Sequence, residues 1–147
     1  MDLSKVYFYI VIIIYLLLSC AIITFTEDLK DNEYFKRYIK LTFAIGFLGV
    51  IIELLNWNYL CKLNCILMTF SPFLTVLISK GTIELYRKVF KKEGFQVQWG
   101  KLSDGIWKKN NGNAKNGLFY AWYTANLTSL PVLIIGILYF LIEKNIC

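Results

Sequence analysis

The 147-residue chain contains no histidine. That absence removes the Ser-His-Asp triad, the Cys-His pair, the imidazole metal ligand and the imidazole proton shuttle. Phosphate has no cradle either: the nine glycines follow neither the dinucleotide-binding spacing nor the P-loop. Without histidine, and without a second spaced cysteine pair, the four cysteines do not make up a zinc ligand set. Proline is reduced to Pro72 and Pro131, and charge is nearly missing from four long stretches of chain. An enzyme would have to be assembled from Glu53 and neutral polar groups. We therefore read the chain as non-enzymatic, with no cofactor and no metal.

What is abundant is apolar surface, at 57% hydrophobic residues, 17% aromatic and a mean hydropathy of +0.53, more than a soluble domain of this length can bury. The runs 6–25, 39–59, 63–79 and 118–142 each approach the roughly 20 residues that cross a hydrocarbon core. The first has no basic leader or small-residue cleavage site and ends in Glu27 and Asp28, which predicts a retained helix rather than a signal peptide. It also lacks the polar stripe that a helix of a water-facing bundle requires. Trp57 and Tyr59 close the second run, and Phe119, Tyr120, Trp122 and Tyr123 open the fourth, as amphipathic rings do at headgroup depth. The predicted fold class is an all-α membrane protein of four transmembrane helices in a single domain, residues 1–147.

Basic residues set the orientation. Lys30, Lys36, Arg37 and Lys40 lie in or beside the first connector, and Lys80, Arg87, Lys88, Lys91, Lys92, Lys101, Lys108, Lys109 and Lys115 in the third. Only Lys5, Lys62 and Lys144 fall on the other side. The positive-inside rule then predicts a multi-pass protein of the cell inner membrane, with both basic connectors cytoplasmic and both termini outside. Cys61, Cys65 and Cys147 come out on the non-cytoplasmic face, where oxidation is permitted, and one disulfide could form among them. The alternative is that all four cysteines are small apolar fillers.

Within the runs, Thr42, Gly46, Gly49, Glu53 and Asn56 recur at spacings of four, three, four and three, drawing one seam along a helix. Ser71, Thr75 and Ser79 repeat the theme in the third run, beside Pro72, and Ala121, Ala125 and Ser129 in the fourth, where Pro131 predicts a kink. Helices in lipid associate over such small and polar residues, so these seams should face protein and also suit homo-oligomerisation. Glu53 is the one charge well inside a run. Its two readings are an ion or proton ligand near the outer mouth of an oligomeric pore, and a structural anchor bonded to Lys62, Asn56 or a tyrosine hydroxyl.

The connector 80–117 carries nine basic and three acidic residues. Its first part reads as an amphipathic extension of the third helix ended by Gly94. Alternation at Phe95, Val97 and Trp99, then Ser103, Asp104 and Gly105 before Ile106 and Trp107, suggests a small β-hairpin. In order of preference, this surface could bind anionic headgroups, dock a cytosolic protein, or stack on nucleic acid. The docking residues would be Arg87, Lys88, Lys91, Lys92, Phe95, Trp99, Lys101, Trp107, Lys108 and Lys109. No motif assigns a family. The architecture is similar in outline to small four-span proteins that act as bacteriocin immunity proteins or as membrane subunits of phage-defence systems. The expected function is a membrane-embedded sensor or scaffold that oligomerises and docks a cytosolic partner through its basic loop, and the alternative is an ion channel or membrane-permeabilising effector.

Overall fold

The computed structural model describes residues 3–55, 57, 59–61, 63–91 and 114–146, and every regular element among them is helical. Helix α1 spans Leu3–Thr24, and a single 3-10 turn, Thr26–Lys30, leads into α2, Asn32–Leu54. The short α3, Asn64–Thr69, is followed almost at once by α4, Ser71–Phe90, and α5 runs over Ala114–Ile146. Two of these helices are long and apolar enough to cross a membrane, Leu3–Thr24 and the stretch Phe119–Ile146 of α5. The other two expected spans do not reach that standard in length and composition. Helix α2 opens on Glu33, Lys36, Arg37 and Lys40, and the third run is divided at Phe70.

Each boundary has a local cause. The α2 helix begins seven residues before the apolar run because Asp31 caps it, its carboxylate accepting the Glu33 backbone N–H at 2.9 Å. It ends at Leu54, three residues before Trp57, so Trp57 and Tyr59 stand outside the helix rather than on its last turn. The cap makes a test: Asp31→Ala is expected to cost about 1 kcal/mol, read as a lower unfolding temperature in detergent. Between α3 and α4 the chain keeps helical direction, with the Leu74 N–H donating to the Phe70 carbonyl at 3.0 Å, while Pro72 occupies the first turn of α4, where a missing N–H is tolerated. The end of α4 comes at Phe90, with Lys91 in the left-handed region at φ 49°, and not at Gly94 as the sequence suggested. Pro131 lies inside α5, which continues through it as one helix. The expected hairpin around residues 95–107 lies outside the described residues.

The packing is centred on one arm. Together α3 and α4 pack against α1, α2 and α5, and the 3-10 turn packs under α4 and against α2. Helix α5 makes its extensive contacts with α4 and α3. Buried positions on α1 (Phe8, Ile12, Tyr15, Ser19 and Ile22) recur every three or four residues, and α2 buries Thr42, Gly46 and Gly49. Each outer helix thus offers the central arm a single narrow stripe.

Polarity runs opposite to that of a water-soluble bundle. The central arm buries Thr69, Ser71, Thr75 and Ser79 at 0% exposure, while the outer helices turn Leu17 (63%), Phe47 (53%), Trp122 (65%) and Phe140 (64%) outward. Exposed apolar surface on this scale, around a hydroxyl-lined centre, is the pattern that marks a surface built to be covered.

Candidate functional site

The interior hydroxyls form a column along α3 and α4. Ser71 donates to the Met68 carbonyl at 2.7 Å and lies 3.0 Å from the Ser19 hydroxyl of α1. Thr69 donates to the Cys65 and Ile66 carbonyls, Thr75 to the Ser71 carbonyl and Thr82 to the Ile78 carbonyl. Tyr15 crosses from α1 to α2, donating to the Ile45 carbonyl at 2.8 Å. These groups mostly satisfy themselves against their own helix, which lets them be buried without water. Ser79 Oγ and Asn64 Oδ1 are buried with no hydrogen-bond partner among the described residues. No described base addresses any of these hydroxyls, so the column offers packing rather than nucleophilic chemistry.

Close approach at the column depends on glycine. A Cβ built at Gly49 would overlap Thr69 Oγ1, and one at Gly46 would meet the Phe70 ring at 3.0 Å. The structure therefore brings Thr42, Gly46, Gly49, Ser71, Thr75 and Ser79 into the protein interior. Glu53, last on that face of α2 among the described residues, is half-buried, and Asn56 and Lys62 lie outside the described residues.

At the far end of the column stands Lys80, 9% exposed. Its ammonium donates to the Leu29 carbonyl at 2.9 Å, Asn32 Oδ1 at 3.1 Å and the Lys30 carbonyl at 3.4 Å, and lies 5.2 Å from the centroid of the Phe35 ring. All four partners belong to the first connector and the start of α2. Sequence reasoning counted Lys80 among loop cations and missed this clamp, because nothing at position 80 announces carbonyls some fifty residues earlier. It also missed Tyr15 and Ser19, although two hydroxyls four apart in an otherwise apolar run were a readable signal.

The cysteines divide. Cys61 is disulfide-bonded, and Cys147, another of the three cysteines considered for a bridge, lies outside the described residues. Cys65 takes no part: it is a free thiol at 0% exposure, the apolar-filler alternative among the three cysteines weighed for one bridge. The first turn of α3 rotates it into the core against Phe8 and Ile12. Cys20 is a free thiol exposed on α1.

On the basic side, Arg87, Lys88 and Lys91 are exposed at the end of α4. Lys92, Phe95, Trp99, Lys101, Trp107, Lys108 and Lys109, the remaining docking candidates, lie outside the described residues. Between α4 and α5 a lateral groove of about 490 Å3 opens beside this end, lined by Gly81, Leu85, Tyr86, Trp122, Asn126 and Leu130 among others. A second, smaller cavity of about 140 Å3 between α1 and α2 is walled by Leu18, Phe25, Leu41 and Ile45 with Pro72 of α4. No three metal-ligating side chains gather among the described residues. No protein family, curated protein or solved structure matches the chain.

Proposed function

We propose that the chain is a multi-pass inner-membrane protein whose four helical passes are α1, α2, the α3–α4 arm and α5, with both termini on the non-cytoplasmic side. In this reading it is not an enzyme: it oligomerises and acts as a sensor or scaffold, docking a cytosolic partner on the basic segment that leaves α4. The carrying observation is the inverted burial, with four fully buried hydroxyl side chains on the central arm inside a rim of exposed Leu, Ile, Phe and Trp. In lipid, a helix with polar side chains is sheltered at the centre and apolar helices face the acyl chains. Two further features support the orientation. Arg87, Lys88 and Lys91 end α4 on one side, and the disulfide-bonded Cys61 lies in the connector assigned to the other, where thiols oxidise. A bacterial phage-defence or toxin-immunity system is the setting we propose for such a scaffold, and an adjacent gene for neither a toxin nor a nucleic-acid-directed protein would count against it.

Reporter fusions to the full chain test the topology. A phosphatase at the C-terminus should be active and a fluorescent protein there dark, and the reverse pattern overturns the orientation. For the scaffold role, a soluble partner should be recovered with the wild type and lost with the double variant Trp99→Ala, Trp107→Ala. Equal recovery by both rejects docking on the loop. Ion flux through liposomes holding the purified protein, abolished by Glu53→Gln, would replace the scaffold with the channel reading.

A further inference from the structure

The lateral groove between α4 and α5 has an apolar length and one polar end. Ile78, Leu85, Leu130 and Ile134 wall the apolar part, and Gly81 leaves it open, since a Cβ there would meet nothing within 4 Å. At the polar end Asn126 Nδ2 donates to the Tyr86 hydroxyl at 2.6 Å and to the Trp122 carbonyl at 2.9 Å. Both amide hydrogens of Asn126 are thereby used. The Tyr86 hydroxyl, accepting one bond, still has its own hydrogen to give, and among the described residues no acceptor takes it. Tyr86 is only 6% exposed, so this donor is held at the groove wall instead of in bulk solvent. Thr82 offers no second donor, because its hydroxyl is tied to the Ile78 carbonyl at 2.8 Å.

Charge continues from that end. Gly81, Leu85 and Lys88 follow spacings of four and three, so Lys88 lies on the groove side of α4 beyond the Tyr86 and Asn126 pair. Arg87 and Lys91 flank it, against a single acidic residue, Glu84, in the last two turns of the helix. An apolar slot with one buried donor and a cationic lip fits an amphiphile whose acyl chain lies along the helices and whose ester and phosphate oxygens reach the interface.

We propose that the groove between α4 and α5 is a binding site for an anionic glycerophospholipid of the cytoplasmic leaflet. One acyl chain lies between Ile78, Leu85, Leu130 and Ile134, an ester or phosphate oxygen accepts the Tyr86 hydroxyl hydrogen, and the headgroup charge sits at Lys88. The site rests on the membrane-spanning reading above, with the basic end of α4 facing the cytoplasm. A basic side chain near the headgroups raises affinity for an anionic lipid by about fivefold.

The test uses the full chain in detergent, titrated with phosphatidylglycerol and with phosphatidylcholine and followed by native mass spectrometry. Wild type should hold phosphatidylglycerol about fivefold or more tightly than phosphatidylcholine. Gly81→Phe, which fills the open slot, should cut retention of both lipids by about tenfold at an unchanged unfolding temperature. Lys88→Gln, at an exposed position, should keep phosphatidylcholine binding and bring the preference near one. Equal retention of the two lipids by wild type, or Gly81→Phe retaining phosphatidylglycerol as wild type does, overturns the site. So does a dimer that Gly81→Phe converts to monomer, since the occupant is then a second copy of the chain. A reversed C-terminal reporter defeats the topology itself, whereas a correct reporter with no lipid preference defeats the groove alone.

Discussion

Gly49→Val is expected to abolish the folded bundle, and Gly49→Ala to destabilise it by about 3 kcal/mol or more, the upper end of what overpacking costs. The site of the clash decides the size. A Cβ at Gly49 runs into the side chain of Thr69, a fully buried residue whose hydroxyl is already held by the Cys65 and Ile66 carbonyls, so it cannot swing aside without losing both bonds. Replacing glycine within a helix would otherwise stabilise it by about 0.5–1 kcal/mol, which makes the sign of the change diagnostic. Gly46→Ala should be milder, because the neighbour at 3.0 Å is the edge of the Phe70 ring, half-buried and able to tilt. Gly136→Ala should stabilise by about 0.5–1 kcal/mol, since the added carbon meets nothing within 4 Å among the described residues and only the helix preference remains. Unfolding temperatures in one detergent should rank the variants in that order. Thr69→Gly introduced together with Gly49→Ala should restore part of the loss, and a Gly49→Ala variant as stable as the wild type would refute the close crossing of α2 and α3.

The small-residue seam on α2 was legible because periodicity survives any packing: Thr42, Gly46 and Gly49 are the residues that α2 buries. Helix limits were less legible, for identifiable reasons. The apolar run of α2 marks where lipid would begin, whereas the helix begins where Asp31 caps it, seven residues earlier in a charged stretch. At the other end of α4, Gly94 looked like the stop signal, but the chain turns at Lys91, which takes the left-handed conformation that glycine usually supplies. Whether Cys65 was a bridge member or an apolar filler could not be read, because sequence distance to Cys61 says nothing about rotation, and the start of α3 at Asn64 points it inward. The arrangement around a central arm could not be read at all. Each run carries a stripe, and no pattern within one helix states that α3 and α4 would receive the stripes of three others.

Lys80→Met is expected to lower stability by about 3 kcal/mol and to loosen the first connector. The methionine keeps an unbranched stem of similar volume, so the packing against Leu29 and Phe35 survives and the loss isolates the ammonium. Three acceptors converge on that nitrogen, the Leu29 and Lys30 carbonyls and Asn32 Oδ1. Hydrogen bonds to a charged donor contribute about 1.5–3 kcal/mol each where they are well made, and the carbonyl of Lys30 at 3.4 Å is the weakest of the set. Lys80→Arg should fall between, since a planar guanidinium does not match three acceptors gathered around a point. Amide hydrogen exchange separates the clamp from general destabilisation: protection should drop first at residues 29–32, while the α3 amides near Thr69, eleven residues before Lys80 on the central arm, change only with global unfolding. The position of the clamp gives it a role beyond stability. Lys80 fixes the α1–α2 turn to α4 about two turns before Arg87 and Lys88 at the end of that helix, so a movement of the turn is coupled to the segment proposed to meet a partner. If Lys80→Met leaves both the unfolding temperature and the exchange at residues 29–32 unchanged, the two connectors are independent and that coupling is wrong.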